Sequence, residues 1–284
     1  MTNQQLDIIR ALGVSVTFDP GLEIERRIAF LSDYLKAAGG RAYVLGISGG
    51  VDSLTAGLLA QAAASRLRET GYDAQFLAMR LPYGRQADES DAQNALATIC
   101  PDRTVTVNIK SAADAIMDEL RGRAGGFSET AREDFHHGNI KARQRMIAQY
   151  ALASSVGGLV VGTDHAAEAL MGFFTKFGDG AADVLPLSGL NKRRIRTIAL
   201  LLGAPQTLVF KTPTADLETN APLRPDEDAY GLSYEEIDDF LEGKVIGRSA
   251  HARILEFYRT TAHKRAPPVA PENFSPSSRG SCRT

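Results

Sequence analysis

Six consecutive residues, Ser48-Gly49-Gly50-Val51-Asp52-Ser53, combine a glycine pair with two hydroxyls and a carboxylate. Glycines let a backbone turn tightly enough to aim several N–H groups at one point. Serine hydroxyls add donors, and a helix opening near Ser53 adds the positive end of its dipole. This is the composition of an anion site, and phosphate is its commonest occupant. Three other readings compete. The Walker A spacing requires a Gly-Lys-Ser/Thr that does not follow here. Gly46-Ile47-Ser48-Gly49-Gly50 is formally G-x-S-x-G, the nucleophile elbow of α/β-hydrolases. That elbow normally comes after more strands, and it leaves Asp52-Ser53 without a purpose. The third is a plain strand-to-helix turn with an Asp/Ser cap. A glycine pair alone would favour it; the full string does not.

Further along, Gly162-Thr163-Asp164-His165-Ala166-Ala167-Glu168 follows an apolar run, so its polar side chains emerge at a strand's C-terminal edge. Asp52 and Glu168 are then two carboxylates at the ends of separate strands, facing one crevice. A hard cation such as Mg²⁺ takes a few carboxylates plus substrate phosphates. First-turn acids favoured by a helix dipole give the same pattern without a metal. Thr163 reads equally well as a helix N-cap. Lys192, in Asn191-Lys192-Arg193-Arg194, stands at a helix start, where the dipole disfavours cations. It calls for an anionic partner or belongs to a solvated basic face. Asp179 between two glycines fits a turn, and Arg143 fits a surface charge. His136, His137, His165 and His251 show no metal-ligand spacing and read as surface, loop or hydrogen-bonded histidines.

The elements that must position these groups alternate. Short apolar runs predict strands over 42–47, 74–80, 104–109 and 158–161. Helical spacing predicts helices after Thr2, from Pro20, and over 53–69, 88–99, 111–120 and 139–154, with another beginning over 164–170. Residues 122–133 read as a polar connection and 171–187 as a long loop of the kind that carries function. Further helices are expected over 192–202, 233–241 and 248–263, separated by a Pro- and Asp-rich stretch at 213–228. Strand–helix alternation predicts an α/β fold, a doubly wound parallel sheet flanked by helices, with extra N- and C-terminal helices.

Composition narrows the function classes. Lys and Arg total 32 against 34 Asp and Glu, a net charge of -2, which disfavours a nucleic-acid partner. The two cysteines, Cys100 and Cys282, form neither a disulfide framework nor a C-x-x-C zinc pair. The longest apolar stretch, 151–161, is interrupted by Ser and Gly and is too short for a membrane. The N-terminus lacks the pattern of a signal peptide. The expectation is a cytoplasmic protein with no membrane partner.

The six-residue turn resembles the PP-loop, SGGxDS, of N-type ATP pyrophosphatases. Downstream come Arg80-Leu81-Pro82-Tyr83-Gly84, Lys141-Ala142-Arg143, the Gly162–Glu168 string, Gly172-Phe173-Phe174-Thr175-Lys176-Phe177-Gly178-Asp179-Gly180 with Asp183, Pro213-Thr214-Ala215-Asp216-Leu217, Tyr234-Glu235-Glu236, and His263-Lys264-Arg265. Together, and in this order, they look like ammonia-dependent NAD synthetases, from the first helix to about Phe274. The resemblance implies one domain over 1–274, followed by a Pro-, Ser-, Arg- and Gly-rich tail at 275–284 that is expected to be disordered.

The resemblance also implies the reaction and its residues. ATP adenylates the carboxylate of deamido-NAD⁺, and ammonia displaces AMP to give NAD⁺. ATP is assigned to Gly46, Ile47, Ser48, Gly49, Gly50, Val51, Asp52, Ser53, Arg80, Thr163, Lys192 and Thr214. Deamido-NAD⁺ is assigned to Arg143, Lys176, Asp183, His263 and Lys264. Mg²⁺ falls to Asp52 and Glu168, and the catalytic set is Asp52, Asp179 and Lys192, with Asp179 where ammonia approaches. A homodimer with its active site at the interface is implied as well. Two departures stand out: Val51 sits where many relatives carry Gln, and the C-terminus lacks their acidic-aromatic ending.

Overall fold

The computed structural model describes residues 2–84, 89–123, 130–214 and 225–271. The expected tail at 275–284, and Ala215, Asp216 and Leu217 of the motif set, lie outside the described residues. Four parallel strands, β1 (Ala42–Gly46), β2 (Gln75–Arg80), β3 (Arg103–Thr106) and β4 (Gly158–Val160), form one sheet in the order β3-β2-β1-β4. Val44 lies opposite Leu77 on one side and Val160 on the other. The chain winds outward from β1 to β3 and then crosses back to place β4 on the other side. The C-terminal ends of β1 and β4 are therefore a topological switch point, the crevice where open α/β sheets bind ligands.

The helices are α1 (Asn3–Ala11), α2 (Pro20–Ala37), α3 (Val51–Glu69), α4 (Glu89–Ile99), α5 (Lys110–Arg123), α6 (Thr130–Ser155), α7 (Ala166–Met171), α8 (Lys192–Leu201), α9 (Gln206–Val209), α10 (Asp226–Tyr230), α11 (Tyr234–Leu241), α12 (Arg248–Thr260) and α13 (Ala262–Arg265). Both sheet faces are covered, which is why the strands read as unbroken apolar runs. Tyr43, Leu45, Phe76 and Ala78 face α2, α3 and α8, while Val44, Leu77 and Met79 face α6. Each fully buried leucine of that first layer, such as Leu31, Leu54 and Leu59, contributes about 1.5–3 kcal/mol. A separate apolar cluster joins α1, α7, α11 and α12.

Local chemistry sets several boundaries as expected. Thr2 caps α1, its hydroxyl accepting from the Gln5 N–H, and Asp19 caps α2 with Pro20 in the first turn. Three expectations need correcting. The strand expected over 104–109 ends at Thr106, although the N–H groups of Val107 and Ile109 still donate to the carbonyls of Arg80 and Pro82. Its partner β2 stops at Arg80, and Pro82 beyond it has no N–H to continue a ladder. The described residues of the connection expected over 122–133 are helical, with α5 running to Arg123 and α6 starting at Thr130. Residues 130–138 are too polar to show an apolar stripe, so helical period alone could not reveal the added turns. The Pro- and Asp-rich stretch contains α10, whose first-turn acids and terminating Gly231 were usable signals.

Candidate active site

A cavity of about 420 Å³ opens at the switch point. That volume suits a small-molecule ligand. Its floor is the turn after β1. Gly49 takes a positive φ of 92°, and the serines stitch the turn together. The Ser53 hydroxyl donates to the Gly50 carbonyl and accepts from the Ser48 N–H, and the Ser48 hydroxyl accepts from the Gly50 N–H. Gly50 is the N-cap of α3 and brings no side chain to the helix end, so the first-turn N–H groups of α3 stay open toward the cavity. The Gly46 N–H donates to Oε1 of Gln149 on α6 at 2.7 Å, a brace that no sequence signal announced. Val51 faces inward and packs in the core.

Asp52 leads into the charged centre. Its Oδ2 accepts from Lys192 Nζ at 2.8 Å, and its Oδ1 lies 3.5 Å from His165 Nε2. His165 Nε2 is also 3.6 Å from Glu168 Oε1. One ligating atom from each of Asp52, His165 and Glu168 lies within 4.8 Å of the others. Lys192 is wholly buried, with its ammonium 4.7 Å from the Tyr234 ring centre. Its awkward place at the start of α8 is offset by Asp238 of α11, whose carboxylate accepts the N–H groups of Lys192 and Arg193. The basic cluster thus divides. Arg193 pairs with Glu242 and Asp239, Arg194 donates to the Ser15 carbonyl, and Lys192 alone of the three turns to Asp52.

The electrostatics are unequal. Burial would raise the Asp52 carboxyl, but the charge and hydrogen bond of Lys192 outweigh it and hold it below the usual carboxylate range. Burial and the charge of Asp52 push Glu168 well above that range, with Lys192 opposing only in part. Burial, then the lysine, drives the His165 imidazole down to about 3, so the ring is neutral. This corrects the surface, loop or hydrogen-bonded reading of that residue. His165 is 1% exposed, and among the described residues neither ring nitrogen has a hydrogen bond. The usable signal was its position three residues before Glu168, one helical turn away. Asp164 was also missed. Burial and the nearby Asp179 raise it to about 7. Asp179 opens onto the cavity yet is ringed by protein, and that surrounding raises its carboxyl too, against the Thr175 N–H it accepts at 2.9 Å.

Of the residues expected at an ATP site, Gly46, Ile47, Ser48, Gly50, Val51, Asp52, Ser53, Arg80, Thr163 and Thr214 line the cavity, with Gly49 and Lys192 behind its wall. Arg80 donates to the Ile47 carbonyl and pairs with Glu89 at 2.6 Å. Glu168, Asp179 and Lys264 also line it. Arg143, Lys176, Asp183 and His263 do not. Arg143 donates to the Lys176 carbonyl and Lys176 to the His263 carbonyl, while Lys264 donates to the carbonyls of Gly172 and Phe174. Together they lace α6, the 172–180 loop and α13 into one outer rim. The Asp183 carboxylate accepts the Val160 N–H at the end of β4.

A doubly wound parallel sheet with a glycine–serine phosphate turn at its switch point, backed by an Asp–Lys pair, defines an α/β nucleotide-binding enzyme of the PP-loop kind. A family model for NAD synthase matches residues 23–268. The chain is 59% identical over 266 residues to the NH(3)-dependent NAD(+) synthetase of Burkholderia lata, across 94% of each chain. It resembles the crystal structure of NAD+ synthetase from Burkholderia pseudomallei with a TM-score of 0.81 at 58% identity, over 93% of this chain and 97% of that one. It also resembles NMN synthetase from Francisella tularensis, with a TM-score of 0.78 at 34% identity, over 91% and 100%. The chain belongs to the NAD synthase family.

Proposed function

We propose that this cavity carries out the ATP-dependent amidation of deamido-NAD⁺ by ammonia, giving NAD⁺, AMP and pyrophosphate. The relatives that match over nearly the whole chain are named for ammonia-dependent NAD⁺ synthesis, and the chain is an amide-forming ligase of that family. The observation that carries the ATP reading is the meeting of the phosphate turn with Asp52, Glu168 and Lys192 at one switch point. The nicotinate carboxylate attacks the α phosphorus of ATP, pyrophosphate leaves, and ammonia then displaces AMP from the acyl-adenylate. The N–H groups of residues 48–53 and the Lys192 ammonium offset charge that builds on the phosphates. Thr163 and Thr214 border the nucleotide, and Asp179 stands where ammonia enters.

Mg²⁺ fits this donor set. Asp52 keeps a buried Oδ1 that has no hydrogen-bond partner among the described residues, and burial beside Asp52 forces Glu168 toward neutrality, with Lys192 opposing only in part. These two carboxylates would hold the ion, which when bound neutralises phosphate charge. The neutral His165 backs them. The dinucleotide extends from Lys264 outward over Arg143, Lys176, Asp183 and His263, on a unit that we place at residues 1–274 and in the cytoplasm. Among the described residues no helix is long and apolar enough to cross a membrane.

The direct test is incubation with ATP, Mg²⁺, ammonium and either deamido-NAD⁺ or deamido-NMN, followed by product identification. Amidation of the mononucleotide alone would move the activity to that of the NMN synthetase neighbour. Ammonia is expected to be the nitrogen source. Splitting glutamine needs an activated nucleophile, normally a cysteine. Cys100 is exposed, with its thiol directed at the Ala97 carbonyl, and the relatives matched over 94% of their own length are named for NH(3). Rates with ammonium salts should rise with pH as NH₄⁺ is deprotonated to NH₃; equal rates with glutamine would contradict this. The outer rim, with Arg143 and Ile147 exposed on α6, is expected to meet a second copy across a two-fold axis. An active monomer in sedimentation at assay concentration would refute that.

A further inference from the structure

Lys211 is absent from every residue set assigned above, yet it lines the cavity beside the phosphate turn. Its ammonium pairs with Asp91 in the first turn of α4 at 2.6 Å. That helix end is pressed against the turn itself: a Cβ added to Gly49 would lie 3.0 Å from the Asp91 carbonyl carbon and 2.8 Å from the Ala92 nitrogen. Through Asp91, the 211–214 segment that carries Thr214 is moored at the wall of the phosphate turn.

The cations around the cavity are not equally ready to change partners. Lys192 is 1% exposed and tied to Asp52, and Arg80 is 4% exposed and tied to Glu89 and the Ile47 carbonyl. The Lys211 and Asp91 side chains keep 24% and 32% exposure. A pair that reaches water is only weakly held, so exchange of one anion for another is easy. Asp91 also remains favoured when its cation leaves, because it sits at the positive end of the α4 dipole. A triphosphate entering the turn brings several negative charges to within reach of a flexible lysine stem.

We propose that Lys211 is a phosphate ligand of the ATP site, with Asp91 as its counter-ion until the nucleotide arrives. On binding, the ammonium passes from the Asp91 carboxylate to an oxygen of the β or γ phosphate, and it stays with the pyrophosphate as that leaves. This rests on the ATP reading above.

The test is calorimetric binding of ATP and of inorganic pyrophosphate, in magnesium buffer, to the wild-type protein, Lys211→Met, Lys211→Arg and Asp91→Asn. Losing a charge-assisted hydrogen bond predicts pyrophosphate binding about tenfold weaker in Lys211→Met, with most of it restored in Lys211→Arg. Asp91→Asn should bind as tightly as the wild type or a few-fold tighter, since a competing anion is gone. The opposite signs separate a ligand from a structural latch. If Asp91→Asn weakens binding as Lys211→Met does, the pair only moors the segment and the inference is overturned. Unchanged affinity in Lys211→Met overturns it too. Should Lys211→Met fail to fold, the sign in Asp91→Asn decides alone. A wild-type protein that binds neither ATP nor pyrophosphate removes the ATP reading itself, and the inference with it.

Discussion

Asp52→Asn is expected to cut pyrophosphate release by on the order of 10³-fold in a protein that still folds. The substitution changes little volume but removes the charge that faces both Lys192 and the neighbourhood of Glu168. Buried lysine without its partner is costly, so stability should fall by about 3 kcal/mol at neutral pH. The lower end of the range for such pairs applies because Asp52 retains 19% exposure toward the cavity. The pH dependence gives a second check. The folded-state pKa of Asp52 is depressed, so its contribution is present above the unfolded value and is lost as pH falls through the folded one. Denaturation curves of wild type and Asp52→Asn should therefore converge below the ordinary carboxylate range and separate above it. Near-normal turnover would sink the assignment of Asp52 to the reaction, and parallel curves at every pH would sink the ion-pair argument.

Gly49→Ala should lose at least about 100-fold in activity and about 2–4 kcal/mol in stability. A side chain at a φ of 92° is strained, and the added carbon meets backbone of α4 at 2.8 Å, where nothing can swing aside. Relief would require the turn or the helix to shift, misaiming the N–H groups that make the phosphate site. Gly50→Ala is the control. Its Cβ would meet only the Ser48 hydroxyl, at an ordinary 3.5 Å, and its φ of -81° suits any residue. Its stability cost should stay under about 1 kcal/mol. Equal damage from the two alanines, measured by urea unfolding and by AMP release, would show that close packing on α4 is not what Gly49 provides.

Much of this enzyme was legible along the chain because the relevant physics is local. The period of apolar residues separated strands from helices, and glycines with hydroxyls marked the phosphate turn within six residues. Thr2, Asp19 and Ser233 announced helix starts that the structure contains. The order of the downstream motifs then pointed to the family, which the comparisons bear out.

Which polar groups meet was decided only by packing. Lys192 and Asp52 are 140 residues apart, and α8 brings them together by lying across α2 and α3 on one face of the sheet. From the opposite face, α6 supplies the Gln149 carbonyl that holds the Gly46 N–H. His165 carried no motif, yet burial beside Lys192 makes it neutral and places it between two carboxylates. A side chain's propensity and its turn chemistry are written in its immediate neighbours. Its desolvation and its charged partners depend on helices that meet only after the sheet has formed, and those two quantities set the protonation of this site.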